Sequence, residues 1–313
     1  MLWKDNWFAW AYEDGVEYGP KKHSQAEMSF ILRNTITRPI QSHYEELLNN
    51  AQAIRDALTG ELDLLFSGGI DSEVVLRIYL ELKIPVNVYI FKYENEYNLP
   101  DYLQATKICR ELGVTPTIID FNLEKFFENE AYDYWTKIYA PSSGFLPQLK
   151  MAEYLDGTPI YATGDPYWRR TSKDWSQPAE WAFLLEEAYH LWALYFRTIG
   201  RTAITDWYEY SPELIMAYNQ LPHTQDLIHD RIKGKLSTVS SKGIIHKQYW
   251  PTMDLRNKLI GFGGVNENPN NILPPFMLEF SEQYGRDKVT SKVVGYSEQE
   301  LIDKIGKISY NSI

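Results

Sequence analysis

Six consecutive residues, Ser67-Gly68-Gly69-Ile70-Asp71-Ser72, combine two hydroxyls, a carboxylate and two positions without a Cβ. Gly68 and Gly69 let the backbone turn sharply and approach a ligand closely, with amide hydrogens facing outward. Ser67 and Ser72 add hydroxyl donors. The helical pattern that begins at Asp71 brings its N-terminal N–H groups and positive dipole end to the same turn, which suits an anion such as a phosphate. The blander reading is a strand-to-helix turn in which Asp71 or Ser72 only caps the helix. Two further stretches carry chemistry. One is Thr163-Gly164-Asp165, where Asp165 is either a functional carboxylate or a turn residue at a strand end. The other holds Lys242, His246, Lys247, Arg256 and Lys258 ahead of Gly261-Phe262-Gly263-Gly264. Those cations could close over a polyphosphate, or form a solvated face paired with nearby carboxylates.

These residues need elements to hold them. Ser42 to Leu58 has helical spacing through Tyr44, Leu47, Leu48, Ala51, Ile54 and Leu58, and Gly60 stops it. Strand and helix patterns then alternate: Leu62 to Phe66, Asp71 to Leu82, Pro85 to Phe91, Pro100 to Leu112, Pro116 to Asp120, Leu146 to Leu155 and Pro159 to Thr163. Short apolar runs between amphipathic helices predict an α/β unit with at least four parallel strands covered on both faces. In a doubly wound sheet of that kind the Ser67 turn lies at the carboxyl ends of the strands, where ligands bind. Before it, residues 7 to 18 alternate around Glu13-Asp14-Gly15, a hairpin signal. Beyond Pro178, Ala179 to Phe196 and Pro212 to Leu221 read as helices with no clear strand. The expected organisation is an N-terminal hairpin appendage over 1–41, the α/β domain over 42–178 and a C-terminal helical layer over 179–313 that acts as a substrate or lid region, or is one compact unit with the domain before it.

The hexapeptide after a strand resembles the Ser-Gly-Gly-x-Asp-Ser signature of the N-type ATP pyrophosphatases, the PP-loop superfamily with the adenine nucleotide alpha hydrolase-like fold. The resemblance implies ATP as cofactor, cleaved between its α and β phosphates. It places Ser67, Gly68, Gly69 and Ser72 on the pyrophosphate, Ile70 among the cofactor-binding residues of the same loop and Asp71 on Mg²⁺. It lays Ile90-Phe91-Lys92, Phe91 above all, against the adenine. Pro159 to Asp165 is similar to a strand and Thr/Ser-Gly-x-Gly-x-Asp-Glu stretch of asparagine synthetases, matching at Thr163, Gly164 and Asp165. By that likeness Thr163 and Gly164 bind the nucleotide and Asp165 helps hold metal. Ser211-Pro212-Glu213-Leu214 resembles a short turn and helix of the same enzymes. Asp71, Asp165, Lys247 and Lys258 are the expected catalytic residues.

Composition narrows the choice. A net charge of −11 disfavours a chain built to grip nucleic acid, and no apolar run is long enough to span a bilayer. The first residues lack the features of an export signal, so a cytoplasmic protein is expected. The lone Cys109 reads as core and excludes both cysteine-built zinc sites and paired-thiol sulfur transfer. Position 2 is Leu2, not the catalytic cysteine of a glutaminase domain, so the expected nitrogen donors are free ammonia, a separate glutaminase or an amine. The reading is an asparagine-synthetase-like ligase that adenylates a carboxylate and forms an amide. Its rivals are modification of a nucleobase, nucleotide or tRNA, and a nucleotide-binding regulator without turnover.

Overall fold

The computed structural model describes residues 7–12, 17, 19, 21–26, 28–33, 36, 38–163, 168–170, 181–228, 238–254, 274–291 and 293–305. The chain opens with strands β1 (Phe8–Tyr12) and β2 (Met28–Leu32) and helix α1 (His43–Ala57). Then follow β3 (Leu62–Leu65), α2 (Ile70–Glu81), β4 (Asn87–Tyr93), α3 (Leu99–Glu111) and β5 (Thr117–Phe121). Helices α4 (Leu123–Asn129), α5 (Ala131–Ile138) and α6 (Leu146–Met151) lead to β6 (Thr158–Ile160), and then to β7 (Trp168–Arg170) and β8 (Trp181–Glu186). The remainder holds α7 (Glu187–Thr198), α8 (Pro212–Asn219), α9 (Pro222–Ile228), α10 (Thr238–Tyr249), α11 (Pro275–Tyr284), β9 (Val293–Tyr296) and α12 (Glu298–Ile305).

Four strands form a parallel sheet in the order β5-β4-β3-β6, with Leu64 opposite both Val88 and Ile160. The chain steps outward from β3 to β4 to β5 and returns to the other side of β3 for β6. Such a sheet must be apolar on both faces. Leu62, Leu64, Val88, Ile90 and Ile160 pack with Leu47 and Ile54 of α1, Val75 and Ile78 of α2, and Ile108 and Cys109 of α3. The opposite face, through Leu65, Tyr89, Phe91 and Ile119, meets Phe126, Trp135, Leu149 and Trp192 from α4 to α7. The crossovers thus cover both faces, and the doubly wound α/β expectation agrees with the sheet. Cys109 is fully buried, and burial pushes its thiol up to about 11.

Local signals place α1 accurately. Ser42 accepts from the Glu45 amide while the Glu45 carboxylate accepts from the Ser42 amide, a capping box that satisfies two helix-end donors. Arg55 donates to the carbonyls of Leu58 and Gly60, and Gly60 turns the chain toward β3 at φ +100°.

The N-terminal hairpin expectation fits a small antiparallel sheet, and one expectation needs correction. The long partner of β1 is β2, antiparallel with Trp10 opposite Phe30. Glu17 makes only a single bridge to Ala11, and the turn 13–16 lies outside the described residues. Trp7, Phe8, Ala9 and Trp10 are all buried, and Met28–Leu32 supplies this strand with a long apolar partner. Beyond residue 178 the chain is not helix alone, because β8 pairs antiparallel with both β7 and β9 in a three-stranded sheet. A short apolar run such as Trp181–Glu186 fits either period, and pairing with a distant strand decides it. No described helix is long and apolar enough to cross a membrane.

His43, at the start of α1, is buried 3.0 Å from the Tyr249 hydroxyl, its ring 6.1 Å from that of His246. Burial, and then the charge of His246, hold its pKa at about 3, against 6.5 for the free side chain. The unfolded chain therefore binds a proton between those values that the folded chain refuses, so stability is kept above 6.5 and lost as pH falls through that window. His43→Asn is expected to remove up to about 1.4 kcal/mol per pH unit from the slope of unfolding free energy between pH 6 and 4. Parallel wild-type and variant curves in denaturant titrations would contradict this.

Candidate functional site

β3 delivers the chain to the loop. The Phe66 amide still donates to the Tyr89 carbonyl at 2.8 Å, continuing the ladder one residue past the strand. Gly68 then adopts φ +72°, and a Cβ built on it would sit 2.7 Å from the Ala105 nitrogen and 2.9 Å from its Cα. Helix α3 therefore presses directly on the loop, and only glycine satisfies both the dihedral and the clearance. Gly69 is the N-cap of α2, and no side chain caps the helix. Ser72 Oγ instead donates to the Gly69 carbonyl at 3.0 Å and lies 3.3 Å from Ser67 Oγ, which also accepts from the Gly69 amide at 3.3 Å. The capping alternative for Asp71 and Ser72 is not what forms. Both lie inside the first turn of α2, beside Ile70, with Asp71 half-buried and the Ser67 side chain exposed. The helix end keeps its dipole directed at the loop.

The second motif arrives beside the first because β6 is hydrogen-bonded to β3. The crevice between the outward walk of the strands and their return lies between these two, the position where open α/β sheets bind ligands. The structure brings together Ser67, Gly68, Gly69, Ile70, Asp71 and Ser72 on one side and Thr163 on the other. Gly164 and Asp165 lie outside the described residues, as do Arg256 and Lys258.

One residue that sequence reasoning passed over joins the two sides. The Tyr208 hydroxyl donates to the Asp71 carbonyl at 2.9 Å, and the Tyr208 amide donates to the Thr163 carbonyl at 3.1 Å. Thr163 Oγ1 donates in turn to the Thr205 carbonyl. Tyr208 is buried, and burial, then the charge of Asp71, hold its phenol well above the usual range, so it stays a neutral donor. Among so many aromatics nothing local marks it. The nearest cue is the following Ser211, which caps α8 by accepting from the Leu214 amide at 3.3 Å, in the turn read from the sequence.

The other expected residues are placed apart from the loop. Phe91 is buried between Phe121 and Tyr154, at ring distances of 6.3 and 5.9 Å, and its carbonyl accepts from Asn98 at 2.8 Å. Its neighbour Lys92 reaches over the Tyr102 ring at 5.7 Å, one turn of α3 from Ala105. Lys247 is exposed on α10, a helix moored to α1 through Tyr249 and His43. No hydrogen bond or ion pair joins Lys247 to the loop among the described residues.

No protein-family model matches the chain, and no curated protein matches it. Among solved structures it is similar to an NMN synthetase from Francisella tularensis, at 17% identity and a TM-score of 0.29 over 38% of this chain and 52% of that one. It is also similar to an NH3-dependent NAD synthetase from Campylobacter jejuni subsp. jejuni, in complex with the nitrate ion, at 12% identity and a TM-score of 0.31 over 78% of this chain and 92% of that one. The chain spans about half the length of the first. Both TM-scores are low, so the site stands on its own geometry.

Gly68 and Gly113 separate the two demands on the loop glycine, because Gly113 has φ +69° with nothing within 4 Å of a built Cβ. Gly113→Ala is expected to cost only the backbone term of about 1–2 kcal/mol. Gly68→Ala adds an overpacking cost of about 1–3 kcal/mol against α3. Equal losses for the two variants in chemical denaturation would show that the close approach to Ala105 does not constrain the loop.

Proposed function

We propose that the chain is an ATP-dependent, AMP-forming ligase of the PP-loop kind, acting on a carboxylate and joining it to ammonia or an amine. The observation that carries the reading is the pairing, at one sheet crevice, of the uncapped glycine loop Ser67–Ser72 with Thr163, clasped by Tyr208. In this reading Ser67, Gly68, Gly69 and Ser72 hold the β and γ phosphates at the start of α2, where backbone donors and dipole favour negative charge. A substrate carboxylate oxygen attacks the α phosphorus, the bond from that phosphorus to the bridging oxygen breaks, and pyrophosphate leaves with the electron pair. The amine nitrogen then attacks the activated carbonyl carbon, AMP departs, and the nitrogen loses a proton.

The chain's own contribution is mostly positional. Donors aimed at a developing pyrophosphate stabilise the charge that grows on it. Lys92, at the carboxyl end of β4 and over Tyr102, offers a cation on the loop's side of the sheet. Asp71 presents a half-buried carboxylate in the first turn of α2, an oxygen donor of the hardness that suits Mg²⁺. When bound, such an ion neutralises phosphate charge. Asp165 is the second carboxylate proposed for it. In the same reading Thr163 and Gly164 are assigned to the nucleotide, Phe91 to the adenine end, and Lys247 and Lys258 to a cationic cover.

Purified protein given Mg-ATP with pools of carboxylates and amines is expected to release AMP and pyrophosphate. ADP and phosphate as products would reject the proposal, and turnover only with nucleobase or tRNA pools would reassign the acceptor. Asp71→Ala should lower turnover at least about 100-fold while leaving the melting temperature within a few degrees, since the side chain is only half-buried. Unchanged turnover would remove Asp71 from the metal role.

A further inference from the structure

Flanking Tyr208 in the chain lies a cluster that the ligase reading does not use. His190 of α7 sits between Asp206 and Glu209, with Nδ1 3.4 Å from Asp206 Oδ2 and Nε2 3.5 Å from Glu209 Oε2. One donor atom from each of the three residues lies within 4.8 Å of the others. All three are buried: His190 is 1% exposed, Asp206 7% and Glu209 5%. Phe8 packs edge-on against the imidazole at 4.8 Å, Trp10 covers it at 5.5 Å, and Trp7 Nε1 donates to the Glu209 carbonyl at 2.8 Å. The N-terminal strand therefore seals the cluster from water.

Two carboxylates in such a place are costly unless their charge is met. Thr205 Oγ1 donates to Asp206 Oδ2 at 3.0 Å, but Asp206 Oδ1 and Glu209 Oε2 are buried with no hydrogen-bond partner. Among the described residues no lysine or arginine pairs with either. A neutral imidazole, two carboxylates and one divalent cation sum to zero charge. The nitrogen-to-oxygen separations are long for hydrogen bonds.

We propose that His190, Asp206 and Glu209 form a structural site for a divalent transition ion of the zinc class. One imidazole nitrogen with two carboxylates selects such an ion over magnesium or calcium, which take oxygen donors. The ion would take one ring nitrogen and one oxygen from each carboxylate, the set of atoms that lie within 4.8 Å of one another. Its location gives it work. Asp206 and Glu209 bracket Trp207 and Tyr208, and Tyr208 holds both Asp71 and Thr163. An ion here ties α7 to that segment beneath the N-terminal strand and steadies the crevice. Ion binding itself does not depend on the ligase reading.

Full-length, tag-free protein is expected to carry about one zinc-class ion per chain by elemental analysis, or to take up one equivalent of Zn²⁺ after stripping with chelator. Stripping should lower the melting temperature by several degrees, and one equivalent of Zn²⁺ should restore it. Glu209→Gln and Asp206→Asn should each weaken Zn²⁺ binding at least about tenfold in calorimetric titration, with fold checked by circular dichroism. If either variant fails to fold, the other variant and the wild-type stoichiometry still decide. Uptake below about 0.1 equivalent by wild-type protein would overturn the proposal, and is the result expected if protons, not an ion, neutralise the cavity. Unweakened binding by the folded variants would overturn it as well. None of these measurements involves ATP, so their failure and that of the ligase reading are told apart.

Discussion

Strand β3 is hydrogen-bonded on both edges, and the crevice exists because of it. At its start the buried Asp63 carboxylate accepts from the Gly157 amide at 2.6 Å, just before β6, and from the Asn87 side chain at 2.9 Å, at the head of β4. A Cβ on Gly157 would stand 2.7 Å from the Glu61 carbonyl and 2.9 Å from the Asp63 carboxylate, so the three chains converge only with glycine there. A charge this deep is tolerable because amide donors satisfy it. With β4 and β6 aligned to the same strand, the ends of β3 and β6 open side by side, and the Ser67 loop meets Thr163.

The free edge of β6 is closed by a segment that is not itself a regular strand. The Tyr161 amide donates to the Ile204 carbonyl and the Ile204 amide to the Pro159 carbonyl, each at 2.8 Å, and Ile160 and Ile204 form a parallel bridge. Trp207, fully buried, then bonds Tyr79 of α2 at 3.2 Å through its indole N–H, and its carbonyl accepts from Asn50 of α1 at 2.7 Å. Arg201 donates to the carbonyls of Leu155 and Gly157 and holds the turn that enters β6. Residues 201–209 thus knit the sheet edge, two helices and the loop into one unit. In this respect residues 201–209 are part of the wall of the site.

Much of the α/β core is legible because its signals are local. Ser42 with Glu45 marks the start of α1, alternating apolar runs and amphipathic helices mark the crossovers, and the glycine pair marks the loop. The strands β2, β8 and β9 were not legible, for a shared physical reason. Each is a short apolar or mixed run whose state is set by the partner it pairs with, and those partners lie far away in sequence. Tyr208 is hidden for a related reason: its role comes from the two backbone groups it meets, not from its neighbours in the chain.

By itself, then, the sequence determined the order of strands and helices in the central sheet, the turn that suits an anion, and the exclusion of chemistries that need more than one cysteine. Those properties are written in residue type and short spacing, over which backbone preference and hydrophobic periodicity act. Tertiary structure alone decided that β6 returns beside β3, that α3 touches the loop at Ala105, that Tyr208 spans both sides of the crevice, and that His190 meets Asp206 and Glu209 beneath Phe8 and Trp10. Each of these joins residues far apart in the chain through packing and long-range hydrogen bonds, which no local pattern encodes.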